Sequence, residues 1–125
     1  MTRINCIPVQ ELTDKHLLAE YYELPRVFTL AKKAYDRDDI KNIPPTYTLG
    51  KGHVRFFYDK LEYLYSRFLD LSNELNERGV NLSYTKFIGA ENKYFACDVS
   101  ICNDWQPTEE AMEINRERIK ERLGE

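Results

Sequence analysis

Val54, Phe57, Leu61, Leu64, Phe68, Leu71 and Leu75 recur in alternating steps of three and four within this chain of 125 residues. Only an α-helix, at about 3.6 residues per turn, gathers side chains at that spacing onto one face. Gly79 follows shortly after the last of them and suits the left-handed conformation that closes a helix. The spacing predicts one continuous helix from His53 to Gly79, the longest in the chain, whose leucine and aromatic stripe is core rather than a cofactor box. Any fold must bring other apolar faces against that stripe.

The stretch Thr13 to Arg26 supplies one such face, because Leu17, Tyr21, Leu24 and Phe28 share a side at helical spacing. Thr13 is a good N-cap, Asp14 suits the positive end of the helix dipole, and Leu12 and Leu17 are spaced as a hydrophobic staple. On the polar edge, His16, Glu20 and Glu23 stand at i, i+4 and i+7, stacking an imidazole and two carboxylates on one line. Pro25 lacks an N–H and crowds the carbonyl four residues back. A kink is expected just after Glu23, re-aiming Arg26 beside that carboxylate. Taken alone, the polar line reads first as the solvated face of an ordinary helix and only second as a site.

Elsewhere the patterns are shorter. Pro8 prevents a continuous helix over residues 1 to 11, and LAKKAYDRDDIKN ends the first helical region before a loop. Ile43-Pro44-Pro45-Thr46 and Gly50-Lys51-Gly52 are two further breaks. Residues 80 to 103 carry short apolar pieces, Tyr94, Phe95, Val99 and Ile101, compatible with extended or irregular structure. From Pro107 a further helix is expected, with Thr108, Glu109 and Glu110 at its positive end and Arg116, Arg118, Lys120 and Arg122 toward its negative end. That charge order needs no ligand, yet Arg118 and Arg122 share a face at i, i+4 that would serve a phosphate backbone.

Charged residues make up 31% of the chain and hydrophobic ones 42%, the balance of an ordinary soluble globular domain. No apolar run approaches the roughly 18 residues of a membrane span, and no basic-then-apolar leader precedes the first helix. Cys6, Cys97 and Cys102 are an odd set, expected as reduced structural thiols in a cytoplasmic protein. A zinc site would want a fourth ligand near them, and neither histidine is close in sequence. The net charge of −3 lowers the expectation of nucleic-acid binding without excluding it, since a local positive patch decides.

Residue 2 is a small threonine, the kind of side chain after which an initiator methionine is commonly trimmed. The chain would then begin with the α-amine of Thr2. An α-amine has a reference pKa of about 7.7–8.0, against about 10.4 for lysine, so it is a substantially unprotonated nucleophile at neutral pH. Arg3 adjoins it, and a cation there would lower the amine pKa further.

MTRIN at residues 1–5, ELTDKHLLAEY at 11–21, ELPRVF at 23–28 and LGKGHVRFFYDKLEYL at 49–64 together resemble the bacteriophage-type pyrimidine dimer DNA glycosylases with AP-lyase activity. The likeness is close over roughly the first 64 residues and traceable near the end through Asp104, Pro107, Arg118 and Arg122. It implies an all-α fold: one domain over residues 1–125, three main helices, and an N-terminal segment threaded between them. It further implies a DNA repair enzyme whose Thr2 α-amine attacks C1′ of the damaged nucleotide while Glu23 sits by the reacting sugar. No metal or organic cofactor is expected. By position the resemblance assigns phosphate contacts to Arg3, Arg26, Arg118 and Arg122, puts His16 close to the reacting nucleotide, and matches Lys33 to a basic position. The expected partner is double-stranded DNA carrying damaged bases or abasic sites, bound by a monomer.

The sequence departs from the family pattern at Tyr22, where an arginine is expected, and at Glu125, beyond which the phage pattern continues into an aromatic-rich tail. Two rival readings follow from the residues. One is a DNA-binding module that kept the scaffold without catalysis. The other is a hydrolytic nuclease with a divalent metal on His16, Glu20 and Glu23.

Overall fold

The computed structural model describes residues 3–123. Within them lie six α-helices: α1 (Asp14–Glu23), α2 (Pro25–Asp36), α3 (His53–Phe56), α4 (Leu61–Glu77), α5 (Tyr84–Phe95) and α6 (Glu109–Leu123). Short 3-10 turns occupy Val9–Glu11 and Val99–Ile101. Among the described residues there is no β-strand, only an isolated antiparallel bridge between Lys60 and Cys102. No helix there is long and apolar enough to cross a membrane.

α4 is the central element, and α1, α5 and the Val9–Glu11 turn pack on it. Its stripe is core as expected: Leu61, Leu64, Phe68, Leu71 and Leu75 are all buried. Each contributes on the order of 1.5–3 kcal/mol of apolar burial. Gly79 closes the helix at φ 86°, its N–H bonding to the carbonyl of Asn76 while the Val80 N–H reaches Leu75, the paired bonds of a Schellman cap.

The expected continuous helix from His53 is instead two helices. Between α3 and α4 the chain tightens into successive i→i−3 bonds, Phe57 to Val54, Tyr58 to Arg55 and Lys60 to Phe57. Phe56 and Phe57 are neighbours in sequence, and a regular helix would turn them about 100° apart. The break lets both bury in one aromatic cluster, edge-on to Trp105 at 5.1 and 5.8 Å between ring centres, with Tyr47 stacked on the same indole. The second break falls where Pro25 predicts it. α1 ends at Glu23, Leu24 joins the helices, and Pro25 sits in the first turn of α2, where a missing N–H costs nothing. Leu17, Tyr21, Leu24 and Phe28 are buried, and the Thr13 hydroxyl accepts from the His16 N–H at 3.3 Å, as an N-cap should.

Residues 80 to 103, undecided from sequence, are mostly helical. α5 begins at the Ser83 cap and packs on α2 and α4, with Tyr65 and Tyr94 stacked at 4.4 Å. The three cysteines are free thiols. Burial pushes Cys6 up to about 12, which suits a structural role.

Residues 4–7 run through the interior without regular secondary structure, and Ile4, Asn5, Cys6 and Ile7 are all buried. Side chains from the surrounding elements satisfy this backbone. His53 of α3 accepts from the Ile4 N–H at 2.8 Å, and the Tyr47 hydroxyl donates to the Ile4 carbonyl. The Asn115 carboxamide of α6 accepts from both Cys6 and Ile7 N–H, at 2.7 and 3.2 Å. Arg67 of α4 donates to the Ile7 carbonyl at 2.7 Å and pairs with Glu20 of α1. Glu20 in turn accepts from Asn5, and Asn5 accepts from Asn115, both at 2.7 Å.

Removing one member of a buried, hydrogen-bonded charge pair leaves the other without compensation, at a cost of roughly 3–5 kcal/mol. Arg67→Met should therefore strongly lower the urea midpoint. Adding Glu20→Gln should recover part of the loss; equal midpoints for the single and double variants would show that the pair is not coupled.

His53 is held neutral, because its Nε2 must accept from Ile4 while Nδ1 donates to the Thr48 carbonyl at 2.8 Å. Burial draws its pKa below the ordinary 6.5. The unfolded imidazole binds its proton first, so stability is full above about pH 6.5 and falls as the pH drops from there through the folded value. His53→Gln should flatten stability against pH between about 6.5 and 5; a slope as steep as in the parent would assign it to other groups.

Candidate active site

The threaded segment ends, on its N-terminal side, at an open cavity of about 490 Å³. Arg3 and Asn5 enter it from the segment, Lys15, His16, Glu20 and Glu23 from α1, and Arg118, Ile119 and Arg122 from α6. The polar line of α1 is thus real, but it faces this cavity rather than open solvent. Within it the two carboxylates differ. Glu20, at 2% exposure, forms the floor, with both oxygens engaged by Arg67 and one also by Asn5. Glu23 is half-buried on the wall.

Opposite the carboxylates the cavity is cationic. Burial, then the neighbouring guanidinium groups of Arg118 and Arg122, draw the Arg3 guanidinium below its ordinary value. Like charges held this close repel one another, an arrangement that an anion in the cavity would relieve. Three buried polar atoms around the cavity have no hydrogen-bond partner: Nη1 of Arg3, Nε of Arg118 and Nδ1 of His16. Buried polar groups are ordinarily satisfied, so these three atoms leave the cavity with capacity to hold a polar ligand. Guanidinium groups match phosphate oxygens in geometry and charge.

Of the expected site residues, the fold brings together Arg3, His16, Glu23, Arg118 and Arg122. Arg26 and Lys33 do not join them. Both are exposed on α2, outside the lining of this cavity, because the helix restarts at Pro25 and turns Arg26 outward. Thr2 lies outside the described residues. The metal-ligand reading of His16, Glu20 and Glu23 loses Glu20, whose oxygens are committed to Arg67 and Asn5. No group of three acidic, histidine or cysteine side chains spaced to hold a metal occurs among the described residues. Lys15 was not foreseen, although it stands eight residues before Glu23 and so on the same helical face. The anchors Asn115, His53 and Arg67 carry no sequence signal, since their partners in the threaded segment lie 49 to 110 residues away.

The cavity thus gathers a carboxylate and three guanidinium groups, a set of charges able to hold a phosphate-bearing ligand. The comparison with known families agrees: residues 1–87 match the pyrimidine dimer DNA glycosylases. The chain belongs to that family, and damaged DNA is the substrate class that goes with it.

Inorganic phosphate at tens of millimolar should raise the melting temperature by a few degrees, through linkage to the folded state. In Arg118→Gln most of that rise should disappear. An equal rise in both proteins would assign it to the general salting effect of phosphate rather than to this cavity.

Proposed function

We propose that the protein is a monomeric DNA glycosylase with AP-lyase activity, acting on pyrimidine dimers in duplex DNA through an amine at the start of the chain. The observation that carries this reading is the placement of Arg3: buried side chains pin the segment that follows it, and its guanidinium lines the cavity that holds Glu23. The nucleophile is one peptide link upstream, the α-amine of Thr2 freed by loss of Met1.

The amine nitrogen forms a bond to C1′ while the C1′–N bond to the base breaks, its electron pair leaving with the base. The attached nitrogen loses one proton, the C1′–O4′ bond opens with its electron pair going to O4′, which takes up a proton, and an iminium ion that keeps one N–H remains. That electron sink acidifies the hydrogens on C2′, so removal of one expels the 3′ phosphate by β-elimination. Glu23 stabilises the cation on the sugar and serves in the proton transfers. Arg3, Arg118 and Arg122 hold the backbone, with His16 beside the extruded nucleotide. Extrusion costs a few kcal/mol and is cheapest at a damaged site. Arg26 and Lys33 contact phosphates further along the duplex.

Borohydride traps the iminium as a stable adduct, so trapping on duplexes carrying a pyrimidine dimer, an abasic site or no damage tests the pathway. Adducts are expected with the first two. Glu23→Gln should cut strand cleavage by at least about a hundredfold while keeping duplex affinity. A protein that cleaves at the parental rate with Glu23 replaced, or that forms no adduct on any duplex, would overturn the reading.

A further inference from the structure

On the other flank of the last turn of α1 lies a second cleft, of about 330 Å³, between that turn and α5. Tyr21, Tyr22 and Pro25 form one wall, and Lys86, Gly89 and Lys93 the other. The three residues of α5 recur at i, i+3 and i+7, on one exposed face, and no acidic side chain lines the cleft. Tyr22 keeps 52% of its surface in solvent, with the Lys86 ammonium 4.9 Å from its ring centre. Tyr21 is itself 97% buried by the same measure, yet its hydroxyl is a buried polar atom with no hydrogen-bond partner. Gly89 sits inside a helix, where glycine is a poor choice, although a Cβ there would meet nothing within 4 Å. The protein's own packing does not require that glycine.

The geometry points to this cleft as a second DNA contact, in which Lys86 and Lys93 grip the phosphodiester backbone flanking the lesion and Tyr22 offers its ring to a sugar or base. The inference rests on the glycosylase reading above and extends it to a surface that Gly89 and Lys93 carry past the residues that match the family. Charge selects the occupant: two lysines with no acid in the cleft lining among the described residues favour a polyanion, and an exposed aromatic beside a lysine is a stacking platform for nucleic acid. Gly89 leaves the helix backbone open to close approach by a strand. Tyr22 and Glu23 are adjacent in sequence and face the two flanks of one helical turn, so a single DNA strand crossing that turn engages both the cavity and the cleft.

The test is duplex binding with an abasic-site analogue, measured across salt concentrations. Lys86→Gln/Lys93→Gln should weaken binding roughly tenfold near 0.1 M salt and reduce the slope of log Kd against log salt by about two, one for each lost phosphate contact. Gly89→Ala should raise the melting temperature and still weaken binding, which loss of folding cannot mimic. If both variants bind with the parental affinity and slope, the cleft is not a DNA contact, and the glycosylase reading stands. Failure of the unaltered protein to bind any duplex would overturn both.

Discussion

The buried ion pair between Arg67 and Glu20 is the joint on which the architecture hangs. Burial works against the Arg67 charge, yet Glu20 against it holds the guanidinium pKa above its ordinary value. Pairs of this kind seldom add much net stability over a well-packed apolar alternative. What this pair supplies is registry. Arg67 also holds the Ile7 carbonyl, Glu20 holds Asn5, and Asn5 meets Asn115. A segment without regular secondary structure would otherwise bury unsatisfied N–H and C=O groups at a cost of about 1–3 kcal/mol each. Shifting it by one residue would break every one of these bonds.

That registry places the candidate site. With residues 4–7 locked, Arg3 has one direction in which to emerge, and it emerges into the cavity shared by Glu23, His16 and the arginines of α6. The two glutamates of α1 differ in what they touch. Glu20 is engaged in holding the chain, and Glu23, about one turn further on, lines the wall of the cavity. A single helix thus carries the structural anchor and the chemical group on the same face.

The charge distribution follows the same economy. The chain is acidic overall, and its cations are gathered rather than spread: Arg3, Lys15, Arg118 and Arg122 around one cavity, Lys86 and Lys93 beside the next. Arg118 at the cavity also pairs with Glu121 at 3.3 Å, and basic groups elsewhere pair with acids of their own. Lys32 pairs with Asp36, Arg55 with Asp39, Arg78 with Asp14 and Glu74, and Arg116 with Glu11. The surface potential relevant to a polyanion is therefore set by where the cations stand, not by the net charge of −3.

Local periodicity and covalent constraint were enough to read the stripe of α4, the Thr13 cap, the Pro25 break and the face shared by Arg118 and Arg122. Each depends only on residues within a few turns of one another, and the backbone geometry of a helix or a proline determines it. The long match to the family added Glu23 and Arg3 as site residues. The tertiary structure alone decided that Glu20 is an anchor, that Phe56 and Phe57 split a helix to share Trp105, and that α5 exists with its lysines on an open face. It also decided which carbonyls and amides of the threaded segment meet His53, Arg67 and Asn115. Those outcomes depend on side chains dozens of residues apart competing for the same buried space, and no spacing along the chain encodes that competition.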